Sequence, residues 1–334
     1  MRTRRSQSSS SDPVLSTLSK DEGHRTVLLH EAVDSLELVP DDVVVDATLG
    51  GAGHAVHIAK KLDRHGTLVA FDLDGAAIKR AEAKLSTATP HVHLVQANFR
   101  DLKKETEKLG ISAITKALFD LGWSSYQLDS GRGFSFLRDE PLLMTYTDAP
   151  HPATLTAGRI VNEWEEGNIA DVLWGWGGER YSRRIARAIV EARKKRSIQT
   201  SQELAEIVSR AVPGAYRHGK IHPATRTFQA LRIAVNDEFG ALQEGLRAAW
   251  DMLAVGGRIA VISFHSTEDR IVKHLFANLE KEGGGKRVTK KPLIPSEKEI
   301  QENPRARSAK LRVIQKNSDS NFSHGNSHIQ DQQV

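Results

Sequence analysis

Apolar runs alternate with amphipathic segments through the first half of the chain. Four of these runs are short, rich in β-branched residues and typical of strands, and they cover residues 43–46, 67–72, 91–96 and 113–121. Between them, apolar residues at helical spacing predict helices over 55–62 and 76–85. Strands that alternate with single helices form a parallel sheet, so we predict a Rossmann-like α/β fold.

The pattern changes after residue 135. Four helical segments follow without an intervening strand, over 156–165, 169–174, 181–193 and 201–211. Near Thr225 the α/β pattern resumes, with a helix around 238–253 and an apolar strand over 258–264. The simplest organisation is an α/β domain, built from 23–135 and 222–316, that is interrupted by an all-helical insert at 136–221.

The two ends of the chain are polar and show no periodicity. Residues 1–22 contain an Arg-rich start and a run of serines, and residues 317–334 are rich in Asn, Ser and Gln. This composition predicts two disordered arms. The first arm has no apolar region, so it is no secretory signal, whereas an organellar transit peptide stays open as an alternative.

Composition narrows the class of protein. The chain has 334 residues, of which 39% are hydrophobic, and it contains no cysteine. Thiolate zinc sites, iron–sulfur clusters and a cysteine nucleophile are therefore excluded, and a reducing cytoplasm is the expected location. No run approaches about 18 consecutive apolar residues, so we expect no membrane span.

Positive charge is concentrated in two stretches. Between Glu179 and Arg196, eight basic and two acidic residues leave a net charge of +6. From Lys281 to the end of the chain, eleven basic and six acidic residues leave +5. Two basic stretches on a nearly balanced chain indicate a polyanionic partner. A solvated helix face and a solvated tail remain the alternative explanation.

The first candidate site is a glycine-rich turn between the first strand and the next helix. Glycines at 50, 51 and 53 let the backbone turn sharply and approach a ligand, while the helix start offers free N–H groups. Asp72 ends the next strand, where a carboxylate can receive both hydroxyls of a ribose. The pairing predicts a nucleoside-containing cofactor, although a plain strand-to-helix connection would also explain the turn.

Glycine spacing separates two classes of cofactor. A dinucleotide site requires Gly-x-Gly-x-x-Gly, which is absent, so a nicotinamide oxidoreductase is disfavoured. The arrangement Asp46-x-x-x-Gly50 with further glycines resembles the first motif of methyltransferases that use S-adenosylmethionine. In that fold the cofactor lies across the carboxyl ends of the strands.

Candidate polar residues also cluster in three later strings, although helix capping or core packing would explain many of them. These residues are Asp120, Ser124, Ser125 and Gln127 after the fourth strand, His222, Arg226, Gln229 and Asn236 in an apolar helical register, and 265–270 after the last strand.

Taken in order, these strings resemble the RsmH (MraW) family of small-subunit rRNA cytosine-N4 methyltransferases. The likeness covers about residues 24–315. The strings that carry it are Asp-x-Thr-x-Gly-x-x-Gly-His, Asp-Leu-Gly-x-Ser-Ser-x-Gln-Leu-Asp, Arg-Gly-Phe-Ser-Phe, His-Pro-Ala-Thr-Arg-Thr-Phe-Gln-Ala-Leu-Arg-Ile, Gly-Gly-Arg-x-x-Val-Ile-Ser-Phe-His-Ser and Asn-Pro-Arg-Ala-Arg-Ser.

The resemblance implies a class I methyltransferase sheet with an inserted all-helical substrate-recognition domain. The implied reaction is methyl transfer from S-adenosylmethionine to the N4 amine of one cytidine in the decoding region of 16S rRNA, without a metal. The implied partner is small-subunit rRNA within a ribosomal subunit, with no membrane, and a homodimer stays open. The implied cofactor contacts are Ala52, Gly53, His54, Asp72, Phe99, Asp120 and Gln127.

The target base lies in folded RNA, so it has to be flipped toward the donor while the insert and the basic stretches hold phosphates. The residues expected to contact RNA are Arg132, Arg184, His222 and Arg226. Asp120, Ser124 or Ser125 would accept a hydrogen bond from the amine, and the general base stays unassigned. A non-catalytic RNA-binding protein with a vestigial fold would carry the same charges, but the intact Asp72 and glycine turn argue against it.

The chain departs from the family pattern at two places. The family has Gly where Ala52 stands, and a left-handed backbone there would cost alanine about 1 kcal/mol. The family segment Pro-Leu-Asp-Met-Arg-Met-Asp reads Pro-Leu-Leu-Met-Thr-Tyr-Thr at 141–147, which removes two acids and an arginine. The contacts made by those three family side chains are therefore in question for this chain.

Overall fold

The computed structural model of the protein describes residues 25–122, 125–219 and 221–317. Its strands form one sheet in the order β3-β2-β1-β4-β5-β7-β6. The strands are β1 Val43–Asp46, β2 Thr67–Asp72, β3 His91–Gln96, β4 Ile114–Asp120, β5 Leu253–Ser263, β6 Gly285–Arg287 and β7 Lys310–Lys316. Of the two predicted arms, only Asn317 belongs to the described residues.

Strand direction and order place the candidate site. β3, β2, β1, β4 and β5 are parallel neighbours, whereas β7 runs antiparallel between β5 and β6. The chain moves outward from β1 to β3 and then returns to β4 on the other side of β1. Ligands bind outside the carboxyl ends of the strands at such a reversal of order, which here lies between β1 and β4.

Helices surround the sheet and form the insert. In chain order they are α1 Leu29–Ser35, α2 Gly53–Ala59, α3 Gly75–Leu85, α4 Leu102–Lys108, α5 Ser125–Leu128, α6 Ala157–Glu163, α7 Glu166–Gly175, α8 Ser182–Lys195, α9 Ser201–Ala211, α10 Gly214–Arg217, α11 Thr225–Asn236, α12 Glu238–Met252, α13 Ser266–Lys281 and α14 Glu297–Glu302. Short 3₁₀ turns lie at Phe99–Asp101 and Pro304–Ser308.

The sheet has a hydrophobic core on each face. Neighbouring residues of one strand point to opposite faces, so Val44 packs with α1, α2 and α3 while Val45 packs with α4, α12 and α13. Both side chains are fully buried. A parallel sheet with both faces covered needs continuous apolar strands, which is why these runs show little alternation.

The insert has a core of its own, built from α6, α7, α8 and α9. The apolar face of α11 belongs to this core, since Phe228, Leu231 and Ala234 pack with the insert rather than under the sheet. Phe134 joins the same core from the other end. The helical unit as packed therefore extends beyond both ends of the segment 136–221.

The predicted Rossmann-like α/β fold with an inserted helical unit is confirmed. β1, β2 and β3 have the predicted bounds, and β4 differs by one residue at each end. The sequence pattern did not predict β6 and β7. The first is three residues long, and the second lies in the basic Lys281-to-end stretch, where alternating charged residues resemble a solvated tail.

Candidate active site

A tight turn after β1 leads into α2. Gly50 and Ala52 both adopt left-handed backbone, with φ of 50° and 63°. The Ala52 N–H closes the turn by donating to the Leu49 carbonyl at 2.7 Å. The left-handed conformation considered for position 52 is therefore present, and it costs an alanine about 1–2 kcal/mol.

Gly53, the first residue of α2, has a packing reason to lack a side chain. A Cβ at this position would lie 1.7 Å from Thr26 Oγ1 and 2.9 Å from Thr26 Cβ. The segment that precedes α1 therefore packs directly on the start of α2. The family resemblance implied a cofactor contact at Gly53 but gave no indication of this neighbour.

Asp72 ties the end of β2 to the turn. Its Oδ2 accepts a hydrogen bond from Gly50 N–H at 2.8 Å, and its Oδ1 accepts one from Asp74 N–H at 2.9 Å. Burial raises the pKa of this carboxyl, and the two backbone donors oppose that rise. Each oxygen retains a further lone pair, so the side chain can still accept from ribose hydroxyls while it holds the turn.

Asp46 and Asp120 end the adjacent strands β1 and β4. Asp46 Oδ1 accepts from Thr48 N–H at 3.1 Å, and Thr48 Oγ1 in turn accepts from Asp120 N–H at 2.6 Å. Burial raises the pKa of Asp46 to about 7; the Thr48 N–H opposes the rise and the charge of Asp72 adds to it. Burial also holds the pKa of Asp120 well above its usual range, with the charges of Asp46 and Glu268 adding to the effect.

One oxygen of each of these carboxyls lacks a hydrogen-bond partner among the described residues. These atoms are Asp46 Oδ2 and Asp120 Oδ1, and both are buried. His54 Nδ1 lies 3.6 Å from the other oxygen of Asp120. Buried polar atoms in native proteins are almost always paired, so two such oxygens at the carboxyl edge indicate a site for a ligand with hydrogen-bond donors or positive charge.

Phe99 and Gln127 lie in the segments that follow β3 and β4. The half-buried Phe99 ring follows β3 and packs edge-on against Phe119 of β4, with ring centres 5.6 Å apart. Gln127 is half-buried in the short helix α5. The expected cofactor contacts thus lie at or after the carboxyl ends of β1, β2, β3 and β4. Ser124 lies outside the described residues, as does the side chain of Ser125.

Arg132, expected to contact RNA, is buried instead. Its three guanidinium nitrogens donate to Ser130 Oγ at 2.9 Å, to the Tyr146 carbonyl at 2.7 Å and to Asp74 Oδ2 at 3.4 Å. With 7% exposure and three internal acceptors, it is not presented to a phosphate. It joins the segment 141–147 to the turn that follows Asp72.

The segment 141–147, which differs from the family pattern, is held by a buried polar network. The sequence alone did not predict this network. The Tyr146 hydroxyl donates to Glu238 Oε1 at 2.9 Å. Arg232 forms a bidentate salt bridge with Glu238, in which Nε and Nη2 donate to the two carboxylate oxygens at 2.7 and 2.9 Å. Asn236 accepts from Tyr146 N–H and donates to the Met144 carbonyl, each at 2.8 Å. In a sequence, only the presence of Arg232 within an apolar helical register could have indicated a buried partner.

The basic stretch at 179–196 coincides with α8. Ile185 and Ile189 are fully buried, while Arg183, Arg184 and Arg187 are exposed. This is the orientation that the helical spacing predicts. Arg187 lies 3.6 Å from Glu166 of α7, which compensates only part of the charge. The outer face of α8 is therefore a basic surface.

His222 and Arg226 lie at the start of α11, beside the insert. The His222 ring stacks on Phe136 with centres 4.3 Å apart, and burial lowers the pKa of the imidazole. Arg226 is half-buried and donates to the Gly178 carbonyl at 2.9 Å, in the loop before α8. Both residues keep part of their surface open to the outside.

No helix among the described residues is long and apolar enough to cross a membrane. Within the same ranges, no group of three His, Asp or Glu side chains comes together in a way that could hold a metal ion.

A sequence model of the MraW methylase family matches residues 21–317. A protein of Brevibacillus brevis named ribosomal RNA small subunit methyltransferase H is 46% identical over 309 residues, which is 88% of this chain and 98% of that protein. A protein of the same name from Paenibacillus sp. is 46% identical over 315 residues, 88% of this chain and 99% of its own. A solved rRNA methylase from Streptococcus thermophilus aligns with a TM-score of 0.43 at 14% identity, over 87% of this chain and 98% of its own.

Proposed function

The chain belongs to the MraW methylase family, and from that premise we propose that it methylates the N4 amine of one cytidine in the decoding region of small-subunit rRNA, with S-adenosylmethionine as the donor. The observation that carries the proposal is the pair of buried oxygens on Asp46 and Asp120 that have no hydrogen-bond partner among the described residues, beside the glycine-rich turn. Buried carboxyl groups beside a glycine-rich turn suit a methyl donor that carries two positive charges and a ribose.

The residues present fit the donor. Asp72 would receive the ribose hydroxyls, Phe99 would border the adenine, and the turn from Gly50 to His54 would leave room for the backbone approach. Asp46, Asp120 and Gln127 would lie toward the cationic methionine end. When bound, the donor supplies an electrophilic methyl on a sulfonium; its transfer to nitrogen breaks the C–S bond, leaves a neutral thioether and requires the amine to lose one proton.

Asp120 has the properties needed to orient the amine. The lone pair of a cytosine N4 is delocalised into the ring, so a hydrogen-bond acceptor that localises it lowers the barrier to attack. Asp120 offers a buried oxygen without a partner among the described residues, at the end of β4. Its raised pKa lets it take the departing proton more readily than an ordinary carboxylate would.

The insert supplies the surface for RNA in this proposal. Arg184, on the exposed face of α8, and the partly open His222 and Arg226 would contact phosphates or bases. Arg132 has a structural role instead, because it joins the segment 141–147 to Asp74 in the turn after β2. We propose that the substrate is rRNA within a ribosomal subunit, in the cytoplasm; comparison of free rRNA with subunits tests this, and sedimentation tests for a homodimer.

Nucleoside analysis tests the function. Small subunits from a strain that lacks this gene are incubated with the protein and methyl-labelled donor, digested, and analysed for N4-methylcytidine. We expect one labelled cytidine per subunit with the parent protein, and at least about 100-fold slower labelling with Asp120→Asn. Tight RNA binding with no donor binding and no labelled cytidine would favour a non-catalytic RNA-binding protein.

A further inference from the structure

A cavity of about 540 Å³ opens beyond the carboxyl end of β5. Its size falls within the range of roughly 300–1,000 Å³ that small-molecule sites occupy. The turn from β5 to α13 lines one wall with Phe264 and His265, and Gln229 of α11 lines another. Ile294, Arg307 and Lys310 come from the segment that runs back into β7.

The cavity adjoins the loop after β4. A Cβ built on Gly122, two residues after Asp120, would lie 3.4 Å from Phe264 Cδ2. In addition, Leu121 N–H donates to the Ile262 carbonyl at 2.9 Å. Phe264 therefore borders both the cavity and the strand end that carries Asp120. A group in the cavity is next to the proposed site of methyl transfer.

The lining combines apolar walls with hydrogen-bonding and basic groups. Phe264 and Ile294 are large and apolar, and Ile294 is 67% exposed at the rim. Gln229 offers both an amide donor and an acceptor. The lining, all of it among the described residues, contains no carboxylate. Arg307 is exposed, whereas Lys310 shares Asp269 with Arg312, at 3.2 and 2.7 Å.

Aromatic rings connect the cavity with the insert. His265 lies 5.8 Å from Phe239, and Phe239 lies 6.2 Å from Trp176, measured between ring centres. Trp176 precedes the loop whose Gly178 carbonyl holds Arg226. Single-stranded nucleic acid binds along such combinations of aromatic rings and basic groups.

We propose that this cavity receives the flipped target cytidine of the RNA, with its base between Phe264 and Ile294, its O2 atom at Gln229, its N4 amine directed toward Asp120 and its phosphate at Arg307. The inference rests on the proposed function and adds a location for the substrate base. It also gives a role to the basic Lys281-to-end stretch, whose residues Arg307 and Lys310 are at the cavity. A flat pyrimidine and a neighbouring phosphate match apolar walls with a basic rim.

Two variants at the rim test the proposal with little risk to folding, because both side chains are exposed: Arg307→Gln and Ile294→Ala. Lys298→Gln removes one positive charge from exposed α14 in the same segment and serves as the control. We expect Arg307→Gln to raise the KM for subunits about 10-fold and to reduce the salt dependence of log KM by about 0.7–0.9. Ile294→Ala should raise KM several-fold, and all three variants should bind donor as the parent does.

A second measurement separates the base from the phosphate. Cytidine 5′-monophosphate and cytidine are titrated by NMR against protein saturated with S-adenosylhomocysteine. We expect Arg307→Gln to weaken binding of the monophosphate but not of cytidine, and Ile294→Ala to weaken binding of both. A parent protein that yields no N4-methylcytidine would contradict the proposed function, while these titrations would still test the cavity.

Two results would overturn the cavity assignment and leave the methyltransferase intact. The first is that Arg307→Gln and Ile294→Ala match Lys298→Gln in KM and in salt dependence. The second is that Ile294→Ala changes thermal unfolding but not KM, which would mean that the chain itself covers the cavity.

Discussion

Gly50 and Asp72, which lie 22 residues apart, are joined by a hydrogen bond of 2.8 Å from the Gly50 N–H to Asp72 Oδ2. This bond connects the turn after β1 with the end of β2. The same carboxylate that would hold the ribose therefore also fixes the backbone around it. Because the turn is already fixed before the ligand binds, less conformational entropy is lost on binding.

We expect Asp72→Ala to weaken S-adenosylmethionine binding by at least about 100-fold. The change removes charge-assisted hydrogen bonds worth about 1.5–3 kcal/mol each, and it leaves the N–H groups of Gly50 and Asp74 without their acceptor. Calorimetry measures the affinity, and thermal unfolding measures the loss of stability. Glu82→Ala, at an exposed position of α3, is the control. Unchanged affinity in Asp72→Ala would remove this Asp from the donor site.

Asp46 should make stability depend on pH. Its pKa is about 7 in the folded protein against 3.8 in its ordinary state, mainly because of burial. Below about pH 4 both states are protonated, so the group adds no pH-dependent term to the free energy of unfolding. Between about pH 4 and 7 the unfolded chain releases the proton first, so stability falls as pH rises. Above about pH 7 the free energy of unfolding falls no further, and the total loss is at most roughly 4 kcal/mol.

We therefore expect Asp46→Asn to gain stability relative to the parent as pH rises from 4 to 7, and no further beyond. Urea unfolding at a series of pH values measures this difference. The cationic donor should also release a proton from Asp46, detectable near pH 6.5 as a binding enthalpy that varies with the ionisation enthalpy of the buffer. A pH-independent difference between the two proteins would contradict the assignment of the pKa to Asp46.

Ala52→Gly should be neutral or should stabilise by up to about 1.6 kcal/mol. Relief of the left-handed backbone gains about 1–2 kcal/mol, and the greater freedom of glycine in the unfolded chain offsets about 0.4–1 kcal/mol. Ala55→Gly, one turn later in right-handed α2, is the matched control and should lose about 1 kcal/mol or more. Equal losses in the two variants would mean that residue 52 is not left-handed in solution.

The turn and the first three strands could be predicted because their causes are local. Glycines permit the left-handed backbone at Gly50, and continuous β-branched runs require a sheet that is covered on both faces. The orientation of α8 was predictable for the same reason, since Ile185 and Ile189 lie one helical turn apart. These features depend on neighbours within a few residues along the chain.

The fate of Arg132 could not be predicted because its partners are distant. Its acceptors Asp74 and Tyr146 lie 58 and 14 residues away. An arginine beside a predicted ligand site is as well suited to a phosphate as to a buried carboxylate. Only the fold decides between them. The same holds for the contact between Thr26 and Gly53, which gives the glycine a second reason to be there.

The buried pair of Arg232 and Glu238 should show a large non-additivity. Removing one partner leaves an uncompensated buried charge and costs about 3–5 kcal/mol, so Arg232→Met and Glu238→Gln should each be strongly destabilising. The double variant should lose less than the sum of the two. In contrast, Lys194→Met breaks a solvent-exposed pair with Glu191 and should have little effect on the free energy of unfolding. Urea unfolding measures all four; additive losses would show that the two charges do not interact.

The last prediction concerns the exposed face of α8. Replacing Arg183, Arg184 and Arg187 with Gln should lower RNA affinity and reduce its dependence on log salt concentration by about 0.7–0.9 for each lost phosphate contact. Donor binding should be unchanged, because these residues lie on the insert. The control replaces Lys103, Lys104 and Lys108 of α4, which removes the same charge from an exposed helix of the sheet domain.

The α4 control distinguishes direct contacts between α8 and RNA phosphates from a long-range effect of the protein's net charge. If α8 contacts RNA, only its variant changes the slope, whereas a long-range effect of net charge would change both equally. Equal slopes for the α8 variant and the parent would mean that this face is merely solvated. The phosphate contacts would then have to come from Arg226 and from Arg307 at the cavity. In that case Arg307→Gln would reduce the salt dependence of RNA binding more than the α8 variant does.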